Sequence, residues 1–144
     1  MRRNLLLAAT SLTMLSTTLS FAQTDADNFY KSSTVSIEKI TFLNQYKMKV
    51  TGNLFLPKDM KESERYPAII VGHPMGAVKE QSANLYATKM TERGFITLSI
   101  DLSFWGESEG EPRNAVLPEL YAESFSAANP DHTNVFTINR RMCT

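Results

Sequence analysis

The chain has 144 residues, enough for one modest domain, with 15 basic and 15 acidic residues, 42% hydrophobic and 10% aromatic residues. That ordinary globular composition excludes disordered, collagen-like and coiled-coil classes. A single cysteine, Cys143, excludes an internal disulfide, and its place next to the last residue, away from any motif, reads as incidental.

The first 22 residues read as a secretory signal. Arg2 and Arg3 give a basic start, Leu5 to Leu19 is apolar with interspersed small polar residues, and Ser20-Phe21-Ala22 spaces small residues as a cleavage site requires. Seven serines and threonines dilute this stretch below what a stable membrane anchor needs. Cleavage after Ala22 predicts a secreted or periplasmic protein. It removes two of the 15 basic residues and leaves 13 against 15 acidic ones, a mildly negative chain that argues against nucleic acid as a partner.

Residues 23–33 are polar and read as a loose linker. Val35, Ile37, Ile40 and Phe42 then alternate, with a slip at Glu38-Lys39 that predicts a β-bulge. Asn44-Gln45 can turn the chain, and Met48, Val50, Gly52, Leu54 and Leu56 keep a period of two up to Pro57, so the pair reads as an antiparallel hairpin. Lys58 to Arg65 is a charged loop. Tyr66 to Gly72 ends in an unbroken apolar run, the pattern of a buried strand, and passes directly into Gly72-His73-Pro74-Met75-Gly76.

Ala83, Tyr86, Ala87 and Met90 recur at helical spacing, with Gly94 closing the helix and Lys89 and Arg93 near its end. Phe95 to Ile100 is a further strand ending at Asp101. Strand, helix, strand at this spacing predicts a βαβ unit with two parallel strands. A loop rich in glycine and glutamate runs from Leu102 to Asn114. Pro118 can open a second helix whose buried face is expected at Leu117, Tyr121, Phe125 and Ala128. Beyond Asn129-Pro130 the pattern fades, although Val135, Phe136 and Ile138 could form a short strand.

The order of hairpin, buried strand with Gly-His-Pro-Met-Gly, βαβ unit and Asp101-led glycine-rich loop resembles the start of an α/β-hydrolase. Dienelactone-hydrolase-like and Xaa-Pro-peptidase-like members give the nearest likeness, over roughly Val35 to Ala128. The resemblance implies an α/β fold: an antiparallel hairpin, then a βαβ unit of a hydrolase sheet, in an incomplete domain. The expected layout is a signal at 1–22, a linker at 23–33, the N-terminal part of the hydrolase domain at 34–128 and an off-pattern tail at 129–144.

The resemblance further implies a serine or cysteine acyl hydrolase of esters, lactones or amides, with the backbone N–H of Met75 in the oxyanion hole. Pro74 has no N–H to give. The alternative on the same scaffold is a non-catalytic remnant or binding module.

Gly106-Glu107-Ser108-Glu109-Gly110 spells the nucleophile-elbow pattern, but the strand ends at Asp101, too early for a strand–turn–helix elbow. The flanking glutamates would also disfavour an alkoxide. Ser108 is therefore expected to fix its loop through backbone hydrogen bonds. His73 precedes any nucleophile in chain order and reads as a brace for the oxyanion loop rather than a general base. Asp101 reads as a carboxylate tying down the next loop. His132 and Asp131 have the order of triad partners for Ser108 but lie together in a stretch without a fold signal.

Trp105 could line a substrate pocket or wedge the loop. Glu80, Glu92 and Glu123 read as solvated charges, and no set of residues has metal-ligand spacing. The expectation is thus no catalytic triad in this chain, no metal and no cofactor. A half-domain would leave the Phe95–Ile100 strand without neighbours, which predicts aggregation or complementation by a C-terminal half.

Overall fold

The computed structural model describes residues 27–61 and 64–129. The expected signal at 1–22 and the tail from 130, with His132 and Cys143, lie outside the described residues. No described helix is long and apolar enough to cross a membrane.

Four strands and two helices follow in the order β1 (Val35–Leu43), β2 (Lys49–Pro57), β3 (Ala68–Gly72), α1 (Ser82–Thr91), β4 (Ile96–Ile100) and α2 (Pro118–Ala127). The sheet order is β1-β2-β4-β3. β1 and β2 are antiparallel, β2 and β4 are antiparallel, and β3 and β4 are parallel. The parallel βαβ unit and the hairpin are both present, but β3, expected as a buried strand, is an edge strand whose five residues are all only half-buried. β4, however, does not lack neighbours: β2 and β3 flank it, and all five of its residues are buried.

The bulge expected at Glu38-Lys39 is absent. The β1–β2 register runs without interruption from Val35 opposite Pro57 to Leu43 opposite Lys49. What changes is the covered face. Val35 packs with Phe55 and Ala87 on the α1 side, whereas Ile40 and Phe42 pack with Val50, Leu54 and Ala127 on the other. A switch of buried face within a regular pleat produces the same sequence slip as an inserted residue.

The hairpin turn owes its shape to Asn44. Its side-chain oxygen accepts the N–H groups of Tyr46 and Met48, both at 3.0 Å, and Lys47 takes a positive φ of 61°.

β4 carries two kinds of face. Ile96, Leu98 and Ile100 join the larger core with Leu102, Ala127 and Ala128, on the α2 side. Burying each of these large side chains contributes about 1.5–3 kcal/mol. Thr97 and Ser99 point the other way, toward α1. The Thr97 hydroxyl donates to the Ala87 carbonyl at 2.9 Å and lies 2.6 Å from the Thr91 hydroxyl. The helices therefore cover opposite faces of the sheet.

The expected buried face of α2 is met in part: Ala128 is buried and Tyr121 packs against the larger core, but the other two expected residues are not buried. Leu117 and Phe125 are 43% and 37% exposed, while Ser124, Ala127 and Ala128 are buried. Ser124 turns inward because its hydroxyl bonds the Ser103 hydroxyl at 2.9 Å. Phe125 lies over Gly72, where an added Cβ would come within 2.5 Å of its ring.

Part of the expected linker is docked on α1. The Tyr30 hydroxyl donates to Glu92 at 2.7 Å, and the Lys89 ammonium sits 3.5 Å from the centre of the Tyr30 ring.

Candidate active-site loops at the carboxyl ends of β3 and β4

Gly72 and Ile100 are register partners, so β3 and β4 end at the same level and their loops start side by side. In sheets of this kind the carboxyl ends of parallel strands are where ligands bind.

The loop after β3 begins with buried His73. Its Nε2 accepts the Leu102 N–H at 3.1 Å, which leaves the ring proton on Nδ1 to be donated to the Pro74 carbonyl at 2.8 Å. Both ring nitrogens are thereby engaged. A tight turn follows, closed by the Ala77 N–H on the Pro74 carbonyl at 3.1 Å, with Gly76 at φ +81°. A positive φ at the third turn position is the mark of a type II turn. Met75 occupies the second position. It is 74% exposed, and its backbone N–H has no partner among the described residues.

Asp101 opens the loop after β4 and is fully buried. Its Oδ1 accepts the Lys79 backbone N–H at 2.9 Å. Its Oδ2 takes the Lys79 ammonium at 2.6 Å and the Glu107 N–H at 2.9 Å. A Cβ at Gly106 would overlap this carboxylate, and Gly106 has φ +51°, so glycine is required there twice over.

The Lys79 side chain is itself fully buried and meets two further carboxylates, Glu107 at 2.7 Å and Glu80 at 2.6 Å. Burial pushes the ammonium pKa down, but hydrogen bonds from Asp101, Glu107 and Glu80 outweigh that and hold it above its ordinary value. Glu107 is held down to about 2 by Lys39 first and Lys79 second. The oxygens of Glu80, Asp101 and Glu107 converge closely enough for a metal ion, but the cation at their centre is the lysine.

Sequence reasoning missed Lys79. It also treated Glu80, Glu92 and Glu123 as merely solvated. Glu92 is bonded to Tyr30 and Lys89, and Glu123 accepts the Gln45 backbone N–H at 2.9 Å and its side-chain amide at 2.7 Å.

Ser108 is buried in the sheet ladder. The Asp101 N–H reaches the Thr51 carbonyl at 2.9 Å, but the return bond is interrupted by the serine. The Thr51 N–H donates to Ser108 Oγ at 2.9 Å, and Oγ–H donates to the Asp101 carbonyl at 2.7 Å. At the next residue, the Glu109 N–H bonds the Lys49 carbonyl at 2.8 Å, and the Lys49 N–H bonds the Glu109 carboxylate at 2.8 Å. Gly-Glu-Ser-Glu-Gly thus serves as a short extension of the sheet alongside the start of β2, with no helix behind it.

Trp105 lies tilted against His73, ring centres 5.9 Å apart, and its indole N–H is shared by the Ala115 carbonyl at 3.1 Å and the Tyr121 hydroxyl at 2.6 Å. The ring is partly exposed beside the Met75 loop. Among the described residues no serine, imidazole and carboxylate are assembled as a triad.

No protein-family model matches the chain. The uncharacterized protein PA2218 of Pseudomonas aeruginosa is 50% identical over 100 residues, covering 69% of this chain and 27% of the relative. The uncharacterized protein YcjY of Escherichia coli is 40% identical over 91 residues, covering 62% of this chain and 30% of the relative. Thiohydrolase aneE of Aspergillus aculeatus is 32% identical over 87 residues, covering 60% and 26%. The crystal structure of PA2218 superposes with a TM-score of 0.67 at 42% identity over 83% of this chain and 37% of that one. The α/β hydrolase GrgF from Penicillium superposes at 0.58, with 27% identity over 65% and 30%.

The chain carries part of an α/β-hydrolase fold. It spans between 26% and 30% of the length of the curated relatives it matches. Within that α/β-hydrolase part, the loops after β3 and β4 are the two that meet at the carboxyl edge of the sheet.

Proposed function

We propose that this chain supplies the oxyanion-binding loop of an α/β-hydrolase that cleaves ester, lactone or amide bonds by nucleophilic acyl transfer. In such a reaction a nucleophile adds to the substrate carbonyl. The oxygen gains negative charge in the tetrahedral intermediate, and a fixed backbone N–H aimed at it lowers the barrier. The observation that carries the reading is the Met75 N–H, without a partner among the described residues, at the tip of a turn whose neighbours are hydrogen-bonded on both sides. The hydrolase names of GrgF and aneE support it as well. In this reading the nucleophile, its acid and its imidazole come from outside the described residues. Ser108 and His73 are both committed to backbone partners.

The test is turnover of p-nitrophenyl esters by the protein that carries this chain, comparing Met75→Pro with Met75→Ala. Proline suits the second position of a type II turn and removes the N–H, while alanine keeps the N–H and controls for loss of the methionine side chain. The expected result is a kcat loss of about 100- to 1,000-fold for the proline variant, with KM little changed, and near-normal turnover for the alanine variant. Full turnover by Met75→Pro would sink the proposal.

A further inference from the structure

The loop that carries Met75 is fastened at both ends to the same dipeptide of β4's exit, Asp101-Leu102. At the near end His73 takes the Leu102 N–H and braces the Pro74 carbonyl. At the far end Lys79 binds Asp101 twice, through its own backbone N–H and through its ammonium. Between the two fastenings Ala77 bonds to Pro74 and Val78 bonds to Gln81, while the Met75 N–H has no partner among the described residues. Lys79 is also the one fully buried cation of the described residues, and three carboxylates surround it.

A buried ammonium is costly unless every proton on it finds an acceptor. Here the three acceptors are Asp101, Glu107 and Glu80, so the side chain has one geometry open to it. Its backbone is fixed with it, because the Asp101 carboxylate reads the N–H and the ammonium of the same residue. Gly106 permits this by leaving room for the carboxylate. Glu107 extends the same network to Lys39 on β1.

We infer that Lys79 is a positioning residue for the oxyanion loop. Through Asp101 it fixes where the Met75 N–H points, without touching the substrate. The inference rests on the proposed role of Met75 for its catalytic consequence, though its geometric part stands apart from that role.

The test has a structural arm and a kinetic arm. In the 144-residue chain, amide hydrogen exchange is followed residue by residue for Lys79→Met and for Asp101→Asn, which keeps the shape of the side chain. The expected result is that the Ala77 amide, bonded to Pro74, exchanges about tenfold faster in both variants while amides of β2 and β4 keep their protection. Unchanged Ala77 exchange would overturn the inference. So would an equal loss of protection across the sheet, or failure of both variants to fold, because Lys79 would then hold the fold rather than aim the loop.

In the kinetic arm, on the protein that carries this chain, Lys79→Met lowers kcat and leaves KM unchanged, and it causes no further loss when Met75 is already proline. Additive losses would overturn the positioning role. A Met75→Pro variant with normal kcat would instead remove the oxyanion reading, and the exchange result would still decide whether Lys79 orders the loop.

Discussion

Replacing Ser108 by alanine separates two readings of Gly-Glu-Ser-Glu-Gly, one chemical and one architectural. In the structure the hydroxyl stands inside the β2–β4 ladder, accepting from Thr51 and donating to Asp101 at 2.9 and 2.7 Å, with all three residues buried. Alanine removes both bonds. Each such bond contributes about 0.5–1.5 kcal/mol net, and a buried N–H left unpaired costs about 1–3 kcal/mol. The strands can close partly so that Thr51 reaches Asp101 directly, which offsets some of the loss. The expected cost is therefore about 2 kcal/mol.

For a domain of this size the urea m-value is on the order of 2 kcal/mol per molar, so the unfolding midpoint should fall by about 1 M with m unchanged. The same purified 144-residue variant is assayed for p-nitrophenyl ester turnover beside the parent chain, and neither is expected to exceed buffer. A midpoint that does not move would refute the ladder argument. Turnover present in the parent and abolished in the variant would establish Ser108 as a nucleophile and refute the architectural reading outright.

Two further outcomes follow from the same network. Gly106→Ala places a methyl group on the Asp101 carboxylate and forces alanine to φ +51°, so it should cost at least about 2 kcal/mol, read by thermal unfolding. Acid should weaken the fold through Glu107 and Glu92. Glu107 is held to about 2 by Lys39 and Lys79, and Glu92 to about 2 by the Tyr30 hydroxyl, Ser32 and Lys89, both against an ordinary value of 4.5. Their folded-state pKa values are depressed, so their contribution is complete above about pH 4.5 and is lost as pH falls toward 2. Stability measured across that window should fall less steeply in Glu92→Gln and Glu107→Gln. Equal slopes in parent and variants would count against the pairing.

How much of this was legible in the residues depended on the range of the interaction. The hairpin and the βαβ unit are set by alternation and helical spacing between near neighbours in sequence, and both were readable. The slip in β1 was visible but ambiguous. Only the covering helices decide that Val35 faces α1 while Phe42 faces the α2 side. The buried face of α2 was read correctly at Tyr121 and Ala128 and misjudged at the other two positions for a similar reason. Apolar bulk suggested Leu117 and Phe125, whereas the helix is held by a serine pair, Ser103 and Ser124, and by small alanines that let it approach the sheet closely.

Lys79 shows where local reading ends. In Val78-Lys79-Glu80, ahead of a helix, a lysine is ordinarily a solvated charge. Its burial is caused by Asp101 and Glu107, 22 and 28 positions away, which are brought to it only because β3 and β4 pair in parallel with Gly72 opposite Ile100. The sequence did hold one signal. Asp101 follows directly on a strand that alternates Ile96, Leu98 and Ile100 with small hydroxyl residues, the pattern of an inner strand, and a carboxylate entering a buried position needs donors close by. Its loop supplies the Glu107 N–H, and the remaining demand points to a cation from a neighbouring loop. Between His73 and the helix that opens at Ser82, only Lys79 carries a positive charge. The acid at the strand end, rather than the lysine, is thus the residue from which the network could have been found.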